Sequence, residues 1–162
     1  MQYCYIDTPI GELLLAGAPG ELSVIGFQGG SKRRAHEEGW IESTAPFADA
    51  RRQLDEYFAG QRQSFDLPLA LSGTDFQRSV YEELQRIPYG TTISYAQLAE
   101  RIGRPKAVRA VGAANGQNPL PIVVPCHRVI GSNGSLTGFG GGLPIKQALL
   151  KLELENQAFE LR

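Results

Sequence analysis

Ser94-Tyr95-Ala96-Gln97-Leu98-Ala99-Glu100-Arg101-Ile102-Gly103-Arg104-Pro105, continuing as Lys106-Ala107-Val108-Arg109-Ala110-Val111-Gly112-Ala113-Ala114-Asn115-Gly116, decides how the second half of this chain folds. Ser94 with Gln97 three residues on predicts a capping box, in which side chain and backbone satisfy each other's orphan groups. The short helix it opens turns Leu98, Ala99 and Ile102 inward. Gly103-Arg104-Pro105 turns the chain, and Pro105 is placed to be the first residue of a second helix running to about Asn115, with Gly116 as its stop. Two short helices about a Gly-containing turn predict a helix-turn-helix. On the second helix Lys106, Arg109, Ala110 and Ala113 share one face, and Ala107, Val111 and Ala114 share a buried one. The open face has cations at one end and almost no bulk elsewhere. An ordinary helix is about 10–12 Å across and the B-DNA minor groove is only about 6 Å wide. A face stripped to Ala and Gly suits a widened minor groove, although tight helix–helix packing asks for the same small residues.

Upstream, Thr74 with Gln77 predicts a second capping box, opening a helix with Phe76, Val80 and Leu84 on one face and ending before Pro88-Tyr89-Gly90. Leu71-Ser72-Gly73 reads as a linker, and the charge balance reverses there. Residues 1–75 carry 6 Lys/Arg and 11 Asp/Glu, whereas residues 76–162 carry 10 and 6. The division expected is 1–72 and 73–162. In the first part, Tyr3 to Asp7 and Glu12 to Ala18 read as a hairpin and Leu22 to Phe27 as a third strand. Residues 28–45 are polar and irregular. Phe47, Ala50, Leu54, Tyr57 and Phe58 fall at helical spacing, and Gly60 ends that helix. Phe65, Leu67 and Leu69 alternate as a last strand. The class is therefore α+β: a small α/β scaffold without a reactive constellation, then a mostly helical domain.

The chain has 162 residues, 42% apolar and 20% charged, which excludes a disordered or fibrous protein. No apolar run approaches the roughly 18–20 residues that span a bilayer, and the first residues lack a signal-peptide pattern. Two cysteines, Cys4 and Cys126, read as free thiols in a reducing cytoplasm. Cys4 and His36 are too few for a metal site. Between 101 and 151 stand Arg101, Arg104, Lys106, Arg109, Arg128, Lys146 and Lys151, with no acid at all. A positive field of that extent suits a phosphate-bearing partner, or else an ordinary solvated face.

The reactive segment is Asn118-Pro119-Leu120-Pro121-Ile122-Val123-Val124-Pro125-Cys126-His127-Arg128-Val129-Ile130-Gly131. Ile122 to Val124 reads as a buried strand that delivers Cys126 and His127 at its end. A thiol of ordinary pKa, about 8.5, is only a few per cent thiolate at neutral pH, so a base is needed. Successive residues of an extended segment point to opposite faces, so a water bridge between Cys126 and His127 is easier than a direct bond. The base in turn needs an acceptor on its other nitrogen. Glu153 is the first carboxylate after the acid-free stretch, on an amphipathic helix from Leu143 to Leu154. Packing of a lone Cys and a structural His remain the plain alternatives.

Ile87-Pro88-Tyr89-Gly90, Ser94-Tyr95, Arg109-Ala110-Val111-Gly112, Asn118-Pro119 and above all Pro125-Cys126-His127-Arg128-Val129-Ile130 resemble the O6-alkylguanine-DNA alkyltransferases, the methylated-DNA–protein-cysteine methyltransferases. The strong match covers residues 73–155. The resemblance implies a ribonuclease H-like first domain and a winged helix-turn-helix in the second. It implies repair by direct reversal: an alkyl group passes from O6 of guanine, less readily from O4 of thymine, to the protein's own cysteine. By that resemblance Cys126 is the nucleophile, His127 the base acting through water, and Glu153 its support. Tyr95 donates to the leaving guanine and Arg109 fills the gap left by the flipped nucleotide. Lys106, Ala110, Ala113, Tyr95 and Arg128 join Arg109 at the DNA. Asn118 braces the cysteine segment, and Pro121, Phe139, Gly140 and Lys146 line the pocket. Phe139 stands where many members carry Tyr, and Gly140 where some carry Ser.

No cofactor and no metal is implied. The partner implied is double-stranded DNA carrying O-alkylated bases, bound by a monomer, with cooperative binding left open. A thioether offers water no carbonyl, so one turnover per molecule is expected. Three alternatives compete: a lesion sensor of the same fold, which would lack the reactive cysteine; a helix-turn-helix regulator, which would need major-groove side chains; and a thiol hydrolase, which would turn over.

Overall fold

A computed structural model of the protein describes residues 1–30 and 32–160, the last three of them by backbone alone. Four strands form the first sheet: β1 (Gln2–Thr8), β2 (Gly11–Gly17), β3 (Val24–Phe27) and β4 (Ile41–Glu42), in the order β3-β2-β1-β4. β1 and β2 make an antiparallel hairpin from Gln2↔Gly17 to Thr8↔Gly11, and β3 continues it. Gly11 turns the hairpin at φ 106°, a conformation that costs glycine little. Strand alternation sends Cys4, Ile6, Leu13 and Leu15 to the main core, and Tyr3, Leu14, Ala16 and Val24 to a smaller cluster closed by Tyr5 and Trp40. Both faces of the sheet are thus covered.

From the polar 28–45 segment, Trp40 packs on the second face and Ile41–Glu42 forms β4, which pairs in parallel with β1, a strand not expected from its composition. His36 stacks on Tyr3 with ring centroids 4.0 Å apart. Phe65 to Leu69 is not the strand expected. It makes one bridge, Leu22↔Leu69. The buried Gln53 side chain instead pairs with both backbone groups of Asp66, each at 2.9 Å, and Pro68 has no N–H for a ladder. Helix α1 (Ala48–Phe58) follows a 3-10 turn, Ala45–Phe47, and lays Ala50, Leu54 and Tyr57 on the sheet.

The second half is mostly helical. Helix α2 (Asp75–Leu84) and helix α3 (Tyr95–Arg101) open with the two expected capping boxes, Thr74/Gln77 and Ser94/Gln97. Helix α4 (Val108–Gly116) begins three residues later than expected. Pro105 lies not at its first position but inside a turn closed by Ala107 N–H donating to the Arg104 carbonyl at 2.9 Å, the place in a turn that its fixed φ favours. β5 (Ile93–Ser94) pairs in parallel with β6 (Val129–Ile130), and helix α5 (Leu143–Glu160) closes the chain. Ile122 to Val124 is not a strand. The segment is a tight turn in which Val124 N–H donates to the Leu120 carbonyl at 2.8 Å, and Ile122 takes φ 76°. That is a strained setting for a β-branched residue. One apolar core runs through both halves, from Leu13, Leu54 and Tyr57 to Val80, Leu98, Val124 and Leu149. No described helix is long and apolar enough to cross a membrane.

Candidate active site

Cys126, His127 and Arg128 form a single 3-10 turn between the strained 120–124 turn and β6. All three are buried, with Cys126 only 4% exposed. Asn118 braces the approach: its Nδ2 donates to the Val124 carbonyl at 2.7 Å, and its Oδ1 accepts from Leu120 N–H at 3.0 Å. Proline at 119, 121 and 125 and this clamp hold the segment without a sheet ladder.

Behind the turn, α5 presents a fully buried Glu153. It accepts from His127 Nε2 at 2.6 Å, Tyr57 Oη at 2.6 Å, Arg128 Nε at 2.8 Å and Nη2 at 3.0 Å, and Gly90 N–H at 3.2 Å. With the carboxylate on Nε2, the proton of neutral His127 sits there and Nδ1 is left as the acceptor. Nδ1 is buried and makes no hydrogen bond among the described residues. Burial alone would raise the Glu153 pKa, but the hydrogen bonds and charges of His127 and Arg128 hold it well below the usual carboxylate range. Burial lowers the His127 pKa, aided by the Arg128 and Lys146 charges and opposed by Glu153, so the ring is neutral at pH 7. Burial pushes the Cys126 thiol up to about 11, with the Asn118 hydrogen bond and the Lys146 charge pulling it back. The resting group is a thiol beside a neutral base.

Cys126 lines a cavity of about 250 Å³ with Asn118, Pro121, Phe139 and Gly140, whereas Lys146, also expected at the pocket, is not among the residues lining it. A second, open groove of about 580 Å³ adjoins it, sharing Gly116, Gln117, Phe139 and Gly140. Tyr95, Arg109 and Ala113 line that groove. Tyr95 Oη accepts from Thr137 Oγ1 at 3.3 Å. Arg109, Ala110 and Ala113 are exposed together along α4, as expected, while Lys106 is exposed on the turn before it.

Two of the seven cations of the acid-free stretch are not at the surface. Arg128, expected at the DNA, is 6% exposed, ion-paired with Glu153 and bonded to the Ile87 carbonyl at 2.8 Å. A guanidinium committed in this way has no reach outward, and it corrects that expectation. Lys146 is fully buried, donating to the carbonyls of Val129 at 2.7 Å and Thr137 at 3.0 Å.

Four residues escaped the sequence reading. Tyr57 reaches Glu153 from the first half. Lys32 and Arg34 line the cavity, with Lys32 Nζ 3.4 Å from the Gly116 carbonyl and its N–H bonded to the Gly140 carbonyl. The run Lys32-Arg33-Arg34 was visible as a basic cluster, but nothing local said that it faces a cavity. Asn115 Nδ2 donates to the Cys126 carbonyl at 3.3 Å.

Residues 1–71 match the family described as 6-O-methylguanine DNA methyltransferase, ribonuclease-like domain, and residues 75–155 match its DNA binding domain. A methylated-DNA–protein-cysteine methyltransferase of Methanosarcina acetivorans is 52% identical over 153 residues, 94% of this chain and 98% of the relative. One of Mycolicibacterium paratuberculosis is also 52% identical, over 94% and 92%. The Mycobacterium tuberculosis OGT crystallised in complex with DNA is 47% identical with a TM-score of 0.90, over 96% of this chain and 94% of that one. Sequence and architecture agree across both halves, and the chain belongs to the 6-O-methylguanine DNA methyltransferase family.

Proposed function

We propose that this protein repairs DNA by moving an alkyl group from O6 of guanine, and less readily from O4 of thymine, onto Cys126. A Cys126 Sγ–carbon bond forms as the carbon–oxygen bond to the base breaks. The thiol proton passes through water to His127 Nδ1, and the purine regains one proton, so thiol and alkoxypurine become thioether and guanine. Glu153 keeps the His127 tautomer that accepts and stabilises the imidazolium. Tyr95, in the groove, donates to the charge developing on the leaving base.

The target carbon lies inside a duplex, so the nucleotide must leave the stack. The exposed Ala110/Ala113 face of α4 approaches the minor groove, Arg109 takes the vacated place, and Arg101, Arg104 and Lys106 attract phosphates without reading sequence. The flipped base passes along the open groove to the cavity at Cys126. Residues 1–72 act as scaffold and 73–162 as the reactive, DNA-binding domain. The protein works as a cytoplasmic monomer, once per molecule.

The observation that carries this reading is the cavity itself: it joins the Cys126 thiol, backed by neutral His127 on the Glu153 carboxylate, to the small-residue face of α4. Intact-mass measurement after mixing with an O6-methylguanine duplex tests it. The expected gain is one methyl group, lost in Cys126→Ser. Tight binding with unchanged mass would instead make the protein a lesion sensor.

A further inference from the structure

Three of the donors that meet the buried Glu153 carboxylate share one oxygen. Oε1 accepts from Arg128 Nε at 2.8 Å and Gly90 N–H at 3.2 Å. Oε2 accepts from His127 Nε2 at 2.6 Å, Tyr57 Oη at 2.6 Å and Arg128 Nη2 at 3.0 Å. A carboxylate offers about four lone-pair directions, so His127, Arg128 and Gly90 satisfy it without Tyr57. The phenol is a further donor, reaching in from α1 across 96 positions of sequence. Its fully buried ring is tilted against Phe65, with centroids 5.5 Å apart, and edge-on to Tyr89 at 6.2 Å, which holds Oη at Glu153. Burial and then the Glu153 charge raise the phenol pKa far above its ordinary value, so Tyr57 donates throughout the pH range in which the site works.

Donors on one oxygen draw on the same electron density, and burial makes each felt more strongly by the others. The titratable and charged groups around the His127–Glu153 pair come from several elements. Glu153 and Lys146 stand on α5, Tyr57 on α1, Tyr81 on α2 near Cys126, and Tyr89 on the turn after α2, beneath the Arg128 guanidinium. Cys126 and Arg128 flank His127 on its own turn. Burial and the Arg128 and Lys146 charges hold the ring neutral, while the Glu153 bond and charge pull it toward the protonated form. A protonated imidazole has no acceptor left, so the base works only where that pull is restrained. We propose that Tyr57 is a positioning residue for His127: by donating to the Glu153 oxygen that His127 shares, it weakens that oxygen's hold on the imidazole proton and keeps the ring in its neutral, accepting form. The first half of the chain thereby sets the strength of the base in the second. The inference rests on the alkyl-transfer reading for what the base accepts, not for how strongly it accepts.

Nitrogen-15 NMR of histidine-labelled protein at pH 7.5 tests it, beside single-turnover methyl transfer followed against pH. The chain has two histidines and His36 is exposed, so the protected imidazole N–H signal belongs to His127. Tyr57→Phe is expected to move the His127 Nε2–H proton downfield, because Oε2 becomes the stronger acceptor. The acid limb of the transfer rate is expected to move up with it by about one pH unit, a share of one hydrogen bond to a charged group. A 3-fluorotyrosine at position 57 keeps the shape and donates more strongly, so there the proton is expected upfield of its wild-type place, and this arm decides the matter should Tyr57→Phe not fold. A proton unmoved or moved upfield in Tyr57→Phe overturns the inference, as does one that the fluorinated ring leaves in place or sends downfield. A Tyr57→Phe rate lowered by one factor at every pH reduces Tyr57 to a prop and overturns it as well. Should wild-type protein take no methyl group from an O6-methylguanine duplex, the alkyl-transfer reading fails, and the NMR signals alone still decide what Tyr57 does to His127.

Discussion

Glu153→Gln preserves the size of a buried side chain and removes one charge from the centre of the site. The carboxylate is saturated: five donors from Tyr57, His127, Arg128 and Gly90 converge on it within 3.2 Å. A carboxylate offers about four lone-pair directions, whereas an amide offers two and turns an NH2 toward donors. The Arg128 guanidinium, 6% exposed, then has no counter-charge. Breaking a buried pair from one side costs about 3–5 kcal/mol, and at about 2–4 °C per kcal/mol for a chain of this length Tm falls by roughly 6–20 °C. Tyr57→Phe removes one bond to a charged acceptor, about 1.5–3 kcal/mol. Urea unfolding at pH 7.5 measures both, and the double variant falls short of the sum because Tyr57 and Glu153 share one interaction. The pH dependence carries a sign. The Glu153 pKa is depressed in the fold, so its contribution is complete above the unfolded carboxyl pKa of about 4.3 and is lost as pH falls below it. The stability gap between wild type and Glu153→Gln therefore narrows in acid. A Glu153→Gln protein within about 1 kcal/mol of wild type at pH 7.5, or a gap that widens in acid, would refute the reasoning.

Burial lowers the His127 pKa, so the methyl-transfer rate stays level as pH falls through about 6.5, the ordinary imidazole value; a stopped-flow pH profile with its acid midpoint at 6.5 contradicts this. The same depressed pKa makes His127 a source of acid instability, with stability lost as pH drops below about 6.5. Lys106→Ala is expected to weaken duplex binding alike on all sequences and reduce the slope of log K against log salt by about one, measured by fluorescence titration; Arg109→Ala should slow methyl transfer from a paired lesion more than from a single-stranded one. Methylated Cys126, made by reaction with the lesion, carries an extra carbon in a site 4% exposed and is expected to unfold about 1–3 kcal/mol more easily, which calorimetry of the product decides.

Local grammar was legible in the residues. The capping boxes at Thr74 and Ser94, the β1–β2 hairpin, the small-residue face of α4 and the pairing of His127 with Glu153 all appear in the structure where side-chain chemistry and spacing placed them. The departures arise where a distant partner overrides local preference. The alternation of Phe65, Leu67 and Leu69 predicts a strand, but Gln53 takes the backbone pairing of Asp66. Ile122 to Val124 has strand composition, yet Asn118 draws it into a turn with one residue at positive φ. Arg128 counted as a surface cation because no sequence pattern shows that Glu153 lies 2.8 Å from its Nε. Tyr57 and Lys32 reach the site from the other half of the chain, across separations no local signal spans.

The charges of the site make physical sense as a set that stays unspent until a base arrives. Glu153 neutralises Arg128, and burial keeps His127 uncharged against the pull of Glu153. Lys146 has no carboxylate partner among the described residues; it is met by the dipoles of two carbonyls, and burial lowers its pKa while the neighbouring Cys126 opposes that shift. Its positive charge pulls the Cys126 pKa down, in the direction that favours a thiolate. At rest the thiol pKa of about 11 keeps that thiolate absent, which also keeps the sulfur poorly reactive toward solvent electrophiles. An alkylated base entering the cavity displaces water, and every charge interaction within strengthens as the local dielectric falls. On the proposed mechanism, proton loss to His127 creates two charges, with Glu153 beside the imidazolium and the Lys146 charge acting on the thiolate. Preorganised partners need no reorientation at the moment of reaction. The first half of the chain belongs to the same device, because Tyr57 holds Glu153 in line and Gly26, Phe27, Lys32 and Arg34 wall the cavity in which the change of dielectric takes place.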